Sequence, residues 1–348
     1  MNGGESAVRR NNRVAVVILN WNGARFLKEY LPSVVKHTPG EIADLIVADN
    51  GSTDESLAVL DRDFPQVKTI RFSENHGFAE GYNLAIAEVS KEYRYTVLLN
   101  SDVKVDDDWL TPLHRFMESH PGAGAVQPKL LSLTKPDEFE YAGAMGGFLD
   151  RNGYPYCRGR VFDTVEKDCG QYDTPMQVDW ASGAALMVDN ALYLWLGGLD
   201  KEFFAHMEEI DLCWRMRLAG REVWAVPDSH VYHLGGGSLP ASNPRKTYLN
   251  FRNNLLMLYK NLPRRKRGRK LIWRRMLDTL AWLKFMAGLD FSNGNAVLKA
   301  HRDFARMRKL YAGCDAKSDM LAGRVNILTE YFARGHRKFS EIRQNPGK

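Results

Sequence analysis

The chain has 348 residues, a net charge of +6 and a hydrophobic content of 44%, which are ordinary values for a globular protein that buries one sizeable core. The four cysteines show no CxxC spacing, and we expect them to be free thiols in a reducing compartment. No apolar segment of the signal-peptide type opens the chain. The best candidate for a membrane span, Met276 to Phe291, is interrupted by Asp278, Lys284 and Asp290.

The first half of the chain alternates between strand and helix signals. Apolar runs at 14–19, 45–48, 67–72 and 95–99 predict strands, and helical patterns lie between them. This alternation predicts a doubly wound α/β sheet with right-handed crossovers. No GxGxxG follows the first strand and no GxxxxGK[ST] occurs, so a dinucleotide-binding Rossmann fold and a P-loop NTPase are excluded.

Polar residues follow three of these predicted strands, at the edge where open α/β sheets bind ligands. Asn20 and Asn22 follow the first strand, Asp49 the second and Asp102 the fourth, where three more aspartates stand at 106–108. An oxygen-rich loop suits a hard divalent cation that carries a phosphorylated ligand. The alternative for Asp49 and Asp102 is that each caps its local turn.

Four segments resemble, in order and spacing, the successive motifs of family 2 glycosyltransferases, and in particular the rhamnosyltransferase-like branch. They are Leu19-Asn20-Trp21-Asn22-Gly23, Asp49-Asn50-Gly51-Ser52-Thr53-Asp54, Asn75-His76-Gly77-Phe78-Ala79 and Leu99-Asn100-Ser101-Asp102. The resemblance extends through Asn254. It implies a GT-A fold, a nucleotide-sugar donor, a divalent metal (Mn²⁺ or Mg²⁺) and inversion at the anomeric carbon.

The resemblance also implies roles for single residues. The donor would be bound by Asn22, Asp49, Asn75, Gly77, Asn83, Asn100 and Arg252, the metal by Asp102 and His233, and the acceptor by Trp180 and Asp211. Core packing is the alternative for Trp180, and a structural role is the alternative for His233. Asn100 stands where the DxD pattern of the family has its first aspartate. Related sequences of this branch also resemble an N-x-D form.

The segment from Phe204 to Trp214 carries three carboxylates among large apolar residues. Its apolar spacing predicts a half-buried helix. Glu208, Glu209 and Asp211 cannot share one face of that helix, because adjacent positions differ by about 100°. The segment resembles the acidic motif of the family, with Glu209 at the position of the catalytic base and Glu208 as the alternative. A carboxylate in apolar surroundings has a raised pKa and is a usable base near neutral pH.

Two further segments frame this acidic region. From about Gln127, glycines and aromatic residues alternate with few regular runs, which predicts a loop-rich excursion with a hairpin that rejoins the sheet near 176–180. His233 precedes a glycine run at 235–237 and resembles the C-terminal histidine of the family. The backbone N–H groups of that run are predicted to meet a diphosphate.

We expect a GT-A catalytic domain over 1–260, with a nucleotide-binding half at 12–125 and an acceptor and catalytic half at 126–260, followed by a basic helical region at 261–348. Eight Lys or Arg residues crowd into 264–275, between apolar residues at helical spacing. This pattern fits a helix on an anionic membrane surface, and it equally fits a solvated basic face packed on the catalytic domain. No nucleic-acid-binding module accompanies the basic cluster, so we expect no nucleic-acid partner.

The resemblance therefore predicts a metal-dependent inverting glycosyltransferase. It would move a sugar, with rhamnose as a candidate, from a nucleotide-diphosphate donor to a glycan or lipid-linked acceptor in surface polysaccharide synthesis. We expect it in the cytoplasm, with a peripheral position at the inner face of the cell membrane if the basic region binds lipid. The alternative is a nucleotide-sugar-binding protein with a degenerate, non-catalytic site, which Asn100 favours.

Overall fold

The computed structural model describes residues 11–235 and 243–342. The strands are β1 Asn11–Asn20, β2 Ala43–Asn50, β3 Lys68–Phe72, β4 Tyr93–Leu99, β5 Val103–Val105, β6 Ala123–Ser132, β7 Gly147–Leu149, β8 Pro155–Cys157, β9 Arg160–Val161, β10 Thr164–Val165, β11 Met176–Gln177, β12 Ala185–Asp189 and β13 Glu222–His233. The helices are α1 Ala24–His37, α2 Ser56–Asp63, α3 Gly77–Val89, α4 Thr111–Ser119, α5 Asn190–Trp195, α6 Glu208–Leu218, α7 Pro244–Asn261, α8 Arg264–Ala287 and α9 Phe291–Met307.

The main sheet has the strand order β11-β13-β6-β12-β4-β1-β2-β3, with β5 beside β13. Strands β4, β1, β2 and β3 run parallel, as the alternation of strands and helices predicts. The carboxyl ends of β1 and β2 therefore meet at one edge, where Asn20 stands opposite Asp49. Strand β12 runs antiparallel between β4 and β6, so the sheet is mixed beyond β4.

Helices cover both faces of this sheet. Val14, Val16 and Ile18 of β1 pack into a core layer with α1, α2 and α4, whereas Ala15 and Val17 pack into the opposite layer with α3, α6 and α7. Burial on both faces explains the unbroken apolar run of β1, because neither face presents side chains to water. The α/β class predicted from the sequence is confirmed.

One element escaped the sequence pattern. The sequence predicts few regular runs after Gln127, whereas β6 continues to Ser132 and is buried along nearly its whole length. Strand β6 lies between β12 and β13. A strand in the centre of a sheet is buried on both faces, so its sequence does not alternate between apolar and polar residues. That alternation is the pattern by which a half-exposed strand is predicted.

The excursion that follows contains a small antiparallel sheet of order β10-β9-β8-β7. Gly147 of β7 lies against Trp180, and a Cβ atom at Gly147 would stand 1.8 Å from the indole. Only glycine allows this approach, which joins the small sheet to the main core. Strand β11 then pairs with β13, close to where the sequence predicts a return to the main sheet.

The C-terminal helices pack on the rest of the protein rather than standing apart. Arg274 of α8 is buried and donates to Asn254 at 2.6 Å and to Asp278 at 2.8 Å. Farther along, Arg324 donates to Asp179 at 2.7 Å. Within residues 11–235 and 243–342, no helix is both long and apolar enough to span a bilayer. The domain boundaries stay predictions.

Candidate active site

Side chains at the ends of β1 and β2 tie the two following loops together. Asn20 donates to Asp49 at 3.0 Å and to the hydroxyl of Ser52 at 3.2 Å. Asp49 also accepts from the backbone N–H of Ser52 at 2.9 Å, and Asn22 accepts from that of Thr53 at 2.7 Å. Both oxygens of Asp49 thus have protein partners, as its turn-capping alternative requires. Donor binding by Asn22 and Asp49 stays a prediction.

Asn75 and Gly77 form the turn before α3, beside the end of β2. The side chain of Asn50 donates to Asn75 and to the carbonyl oxygen of Gly77, both at 3.0 Å. Gly77 has a φ of +77°, and a Cβ atom there would lie 3.1 Å from the ring of Phe204. A residue with a side chain would be strained at Gly77, so the turn depends on glycine. The exposed Asn75 lies next to the strand ends that are predicted to receive the nucleotide.

His233 lies between two carboxylates. Its Nε2 is 3.1 Å from Oδ1 of Asp102 and 3.4 Å from Nδ2 of Asn100. Its Nδ1 is 3.4 Å from Oε1 of Glu140, an ion-pair distance without the alignment of a hydrogen bond. Pairing of β5 with β13 sets this geometry, because it places His233 opposite Val103.

The charge of this histidine bears on metal binding. Burial alone would lower the pKa of His233, but the carboxylates of Asp102 and Glu140 raise it to about 10. A metal at Nε2 would replace that proton, since imidazole binds metals in its neutral form. In the described part of the chain, no cluster of three or more His, Cys, Asp or Glu could hold a metal ion. Metal binding by Asp102 and His233 stays a prediction, and in it phosphate oxygens and water would complete the coordination.

The acidic helix α6 begins at Glu208, not at Phe204 as the apolar spacing predicts. Phe204, His206 and Met207 have positive φ angles of 66°, 68° and 73°. Side chains rarely adopt such angles, and strained residues of this kind cluster at functional sites. The side chain of Asn253 holds the turn by donating to carbonyl oxygens at 203, 205 and 206, at 2.7 to 2.9 Å.

The first two residues of α6 are carboxylates whose pKa values are both raised. Glu208 is buried and Glu209 is half-buried, and one oxygen of each carboxylate has no hydrogen-bond partner among the described residues. Burial raises the pKa of Glu209 to about 7. Burial and the charge of Glu209 raise the pKa of Glu208 well above its usual range. At neutral pH a sizeable fraction of Glu209 is charged, which favours it over Glu208 as a base.

A cleft of about 740 Å³ connects α6 with the histidine site, and this volume suits a small-molecule ligand. Five predicted site residues line it, namely Asn100, Asp102, Glu208, Glu209 and His233. A second cleft of about 570 Å³, near the opposite ends of β4 and β6, contains none of the predicted site residues.

The side chains of Asn83 and Arg252 form hydrogen bonds with other parts of the protein, outside the cleft. Asn83 donates to the carbonyl oxygen of Leu199 at 2.8 Å and accepts from the hydroxyl of Tyr193 at 2.7 Å. Arg252 is buried and donates to carbonyl oxygens at 202 and 203, at 3.0 and 2.9 Å. Both side chains fasten the segment between α5 and α6, and neither lines the cleft. These contacts give no support to the donor-binding roles predicted for them.

Trp180 and Asp211 lie in the core. Trp180 is 2% exposed, and its Nε1 donates to the carbonyl oxygen of Phe148 at 3.1 Å. Asp211 is fully buried and pairs with Arg215 at 2.8 Å and with Lys260 at 2.9 Å. Burial opposes the charge of Asp211, but these two cations lower its pKa to about 2. The burial of Trp180 fits core packing, Asp211 pairs with cations in the core, and neither lines the cleft. The acceptor roles predicted for both stay predictions.

The cleft contains residues that the sequence pattern did not single out. Glu140 comes from an irregular segment after β6, and its one sequence signal is a carboxylate flanked by Phe139 and Tyr141. Lys246, in the first turn of α7, also lines the cleft. Burial lowers the pKa of Lys246, and the negative charge of Glu140 offsets only part of this effect. The glycine-rich segment predicted to meet a diphosphate continues through 236–238, which lie outside the described residues.

Comparison with known proteins defines the class. Residues 15–183 match the model of the family described as "Glycosyl transferase family 2". The protein is a glycosyltransferase. Over residues 15–183 it is similar to family 2, and its relatives are consistent with the rhamnosyltransferase-like branch of that family.

Two curated relatives carry the word rhamnosyltransferase in their names. An N-acetylglucosaminyl-diphospho-decaprenol L-rhamnosyltransferase of Mycobacterium tuberculosis is 25% identical over 234 residues, which are 63% of this chain and 75% of the relative. Rhamnosyltransferase WbbL of Escherichia coli K12 is 28% identical over 166 residues, 45% of this chain and 61% of the relative.

The fold has solved counterparts as well. The crystal structure of GalNAc-T7 with UDP, GalNAc and Mn²⁺ superposes with a TM-score of 0.54 and 17% identity, over 72% of this chain and 48% of that one. Since the sequence identity is low, the likeness concerns the fold, which is of the GT-A type.

Proposed function

We propose that the protein is an inverting glycosyltransferase that moves a sugar from a nucleotide-diphosphate donor to a hydroxyl group of a glycan or lipid-linked acceptor. One observation carries the proposal. Glu209, with a pKa raised to about 7, lines the same cleft as the paired Asp102 and His233. The proposed base and the proposed site for the metal and the donor diphosphate thus line the same cleft. Transfer requires this, because the acceptor and the donor must meet there.

Glu209 would remove the proton from the acceptor hydroxyl. The acceptor oxygen then forms its bond to the anomeric carbon from the side opposite the nucleotide diphosphate, whose bond to that carbon breaks. Attack from the opposite side inverts the configuration of the sugar. The half-buried position of Glu209 keeps its carboxylate weakly solvated, which strengthens it as a base.

Asp102 and Nε2 of His233 would hold Mn²⁺ or Mg²⁺. When bound, the cation would neutralise negative charge on the departing diphosphate. The GalNAc-T7 structure of similar fold contains UDP and Mn²⁺, which supports this choice of cofactor. Lys246 would face the diphosphate, because Lys246 lines the cleft, whereas the donor-binding Arg252 of the sequence prediction donates to carbonyl oxygens outside it.

The relatives support a choice of acceptor. The M. tuberculosis relative is named for L-rhamnosyl transfer to a decaprenol-linked diphosphate sugar. We therefore propose rhamnose as the sugar and a lipid-linked glycan as the acceptor, in the synthesis of a surface polysaccharide. Work on such an acceptor would take place at the cytoplasmic face of the cell membrane.

The alternative of a degenerate binding protein rests on Asn100 alone. Asn100 lies 3.4 Å from Nε2 of His233, where a second carboxylate would have strengthened the metal site. The remaining groups that transfer requires, Asp102, His233 and Glu209, are present and line one cleft. A catalytic site is therefore favoured.

A screen of nucleotide sugars tests the proposal. We expect one donor, with deoxythymidine-diphospho-rhamnose as the first candidate, to raise the melting temperature in Mn²⁺ but not in chelator. Incubation of that donor with a lipid-diphosphate N-acetylglucosamine acceptor should give a product of inverted anomeric configuration, which NMR identifies. Donor binding without hydrolysis or transfer to any acceptor would establish the degenerate alternative instead.

A further inference from the structure

Exposed large hydrophobic side chains concentrate in the C-terminal helices. Of the 16 in the described part of the chain, nine lie between positions 272 and 310. Five of them belong to α8 and form what we call the outer face of α8, namely Ile272, Trp273, Met276, Leu280 and Leu283. Their exposed fractions range from 48% for Trp273 to 65% for Ile272. Such a continuous exposed apolar surface marks an interaction site.

The outer face is a true stripe, separate from the side of α8 that packs on the protein. At about 100° per residue, its five members fall within an arc of about 100°. The packed side consists of other residues, among them Leu271, Arg274 and Asp278, all of which are buried. Helix α8 therefore has a second apolar side that its own fold does not use.

The charges around the outer face have one sign. Arg265 and Arg269 are exposed about two turns and one turn before it, and Arg275 and Lys284 are exposed near its borders. The one carboxylate of α8, Asp278, is buried and paired with Arg274 and His301. Helix α8 thus presents apolar and cationic groups outward and no anionic ones.

We propose that the outer face of α8 binds an anionic lipid bilayer, with the helix parallel to the membrane in the headgroup region. An apolar stripe bordered by Lys and Arg is the pattern of helices that lie in this interface. Anionic headgroups complement the arginines, whereas a second copy of the chain would bring like charges together. The lipid contact does not depend on catalysis; its use to reach a lipid-linked acceptor rests on the proposed function.

Co-sedimentation of the full chain with vesicles tests this inference. The vesicles contain phosphatidylcholine with or without phosphatidylglycerol, at low and at high salt. One variant combines Ile272→Ser, Met276→Ser and Leu280→Ser, and a second combines Arg265→Gln, Arg269→Gln and Arg275→Gln. The matched control, Leu194→Ser with Trp195→Ser, removes two exposed apolar side chains from α5.

We expect the wild type to bind the anionic vesicles and to lose affinity as salt rises. The arginine variant should bind about 100-fold more weakly, from roughly fivefold for each removed charge. The serine variant should lose on the order of tenfold or more, and its residual binding should vanish at high salt. The control should bind like the wild type, and all variants should keep wild-type donor binding, because none of these residues lines the cleft.

A second measurement does not depend on the stability of the combined variants. Brominated lipid should quench the tryptophan fluorescence of the wild type more than that of Trp273→Phe, which keeps the apolar surface. Equal quenching, or serine-variant binding equal to the wild type, would overturn the inference. A lipid-free dimer that the serine substitutions dissociate would assign the face to a second copy instead. Lipid binding in a protein without transferase activity would contradict the proposed function and leave this inference standing.

Discussion

Nε2 of His233 lies 3.1 Å from Oδ1 of Asp102, although 131 positions separate the two residues in the chain. The contact arises because the three-residue strand β5 starts directly after Asp102 and pairs antiparallel with the end of β13. A slip of one residue in that pairing would turn the imidazole to the other face of the strand. The proposed metal site therefore depends on the register of one short strand.

Replacement of Asp102 tests the metal site. Asp102→Ala should abolish metal-dependent donor binding, and it should also lower the melting temperature, because it leaves the buried His233 with one carboxylate partner fewer. Calorimetric titration of the donor with and without Mn²⁺ measures the effect. Asp106→Ala, in the half-exposed loop next to it, is the control and should bind normally. Full activity of Asp102→Ala in chelator-treated buffer would show that the metal assignment is wrong.

Replacement of Glu209 tests the base. Glu209→Gln keeps the size of the side chain but cannot accept the proton, so turnover should fall by about 10²–10⁴-fold while donor affinity stays close to wild type. Glu208→Gln is the matched control, since Glu208 is the neighbouring carboxylate and lines the same cleft. Steady-state rates and donor titrations separate the two effects. Loss of transfer in Glu208→Gln alone would mean that the neighbours have exchanged roles.

The raised pKa of Glu209 also predicts two pH dependences of opposite sign. Below its pKa of about 7, kcat/KM should fall about tenfold per pH unit, because protonated Glu209 cannot act as a base. The unfolded chain releases this proton near the ordinary value of 4.5, so the folded state holds more protons between about 4.5 and 7. Stability from this group therefore falls as pH rises through that window. Glu209→Gln should melt above the wild type at pH 8 and lose that advantage at pH 4, and equal melting curves at both would contradict the shift.

Replacement of Asp211 tests whether this residue stabilises the fold or binds the acceptor. Asp211→Ala should destabilise the protein by about 3–5 kcal/mol, because it leaves the partly buried Arg215 without its carboxylate and Lys260 with Asp200 alone. Urea unfolding measures the loss. Asp137→Ala removes an exposed ion pair with Lys167 and should leave the urea midpoint close to that of the wild type, because solvent screens such a pair. A stable Asp211→Ala that loses only acceptor affinity would restore the acceptor role predicted from the sequence.

Glu140 is expected to orient His233 through its contact with Nδ1, the ring nitrogen that does not face Asp102. Glu140→Gln should weaken Mn²⁺ binding by about 10–100-fold, the usual effect of losing a group that positions a metal ligand. Electron paramagnetic resonance of free Mn²⁺ gives this affinity without any assay of activity. Glu138→Gln is the control, because Glu138 pairs with the exposed Lys135 outside the histidine contact. Equal Mn²⁺ affinity in both variants would exclude a positioning role for Glu140.

Much of the fold and part of the site were accessible from the sequence. The strands β1 to β4 have strong apolar runs, and their polar ends had to meet at one edge because the strands are parallel. Asp102, His233 and Glu209 stood out because each combines a reactive group with a special local setting: a strand end, a glycine run or an apolar helix.

Other parts of the site had no such signal. Glu140 lies in an irregular segment, so no period or cap marks it. Arg252 and Asn83 seemed free to bind a donor, yet their partners are backbone carbonyl groups, which every residue possesses and no sequence pattern reveals. The sequence also did not predict that α6 begins only at Glu208. Phe204 and Met207 fit the apolar spacing of a helix, but their positive φ angles are not helical.

The strained turn before α6 makes heat resistance and turnover competing properties of this protein. Phe204, His206 and Met207 each have a positive φ angle, which costs a residue with a side chain about 1–3 kcal/mol. A laboratory selection for survival at high temperature would collect glycine or asparagine at these three positions. The same changes would loosen the support on which Glu209 stands, so a selection for product formation would remove them. The turn is thus a poor target for thermostabilisation, whatever gain in melting temperature it offers.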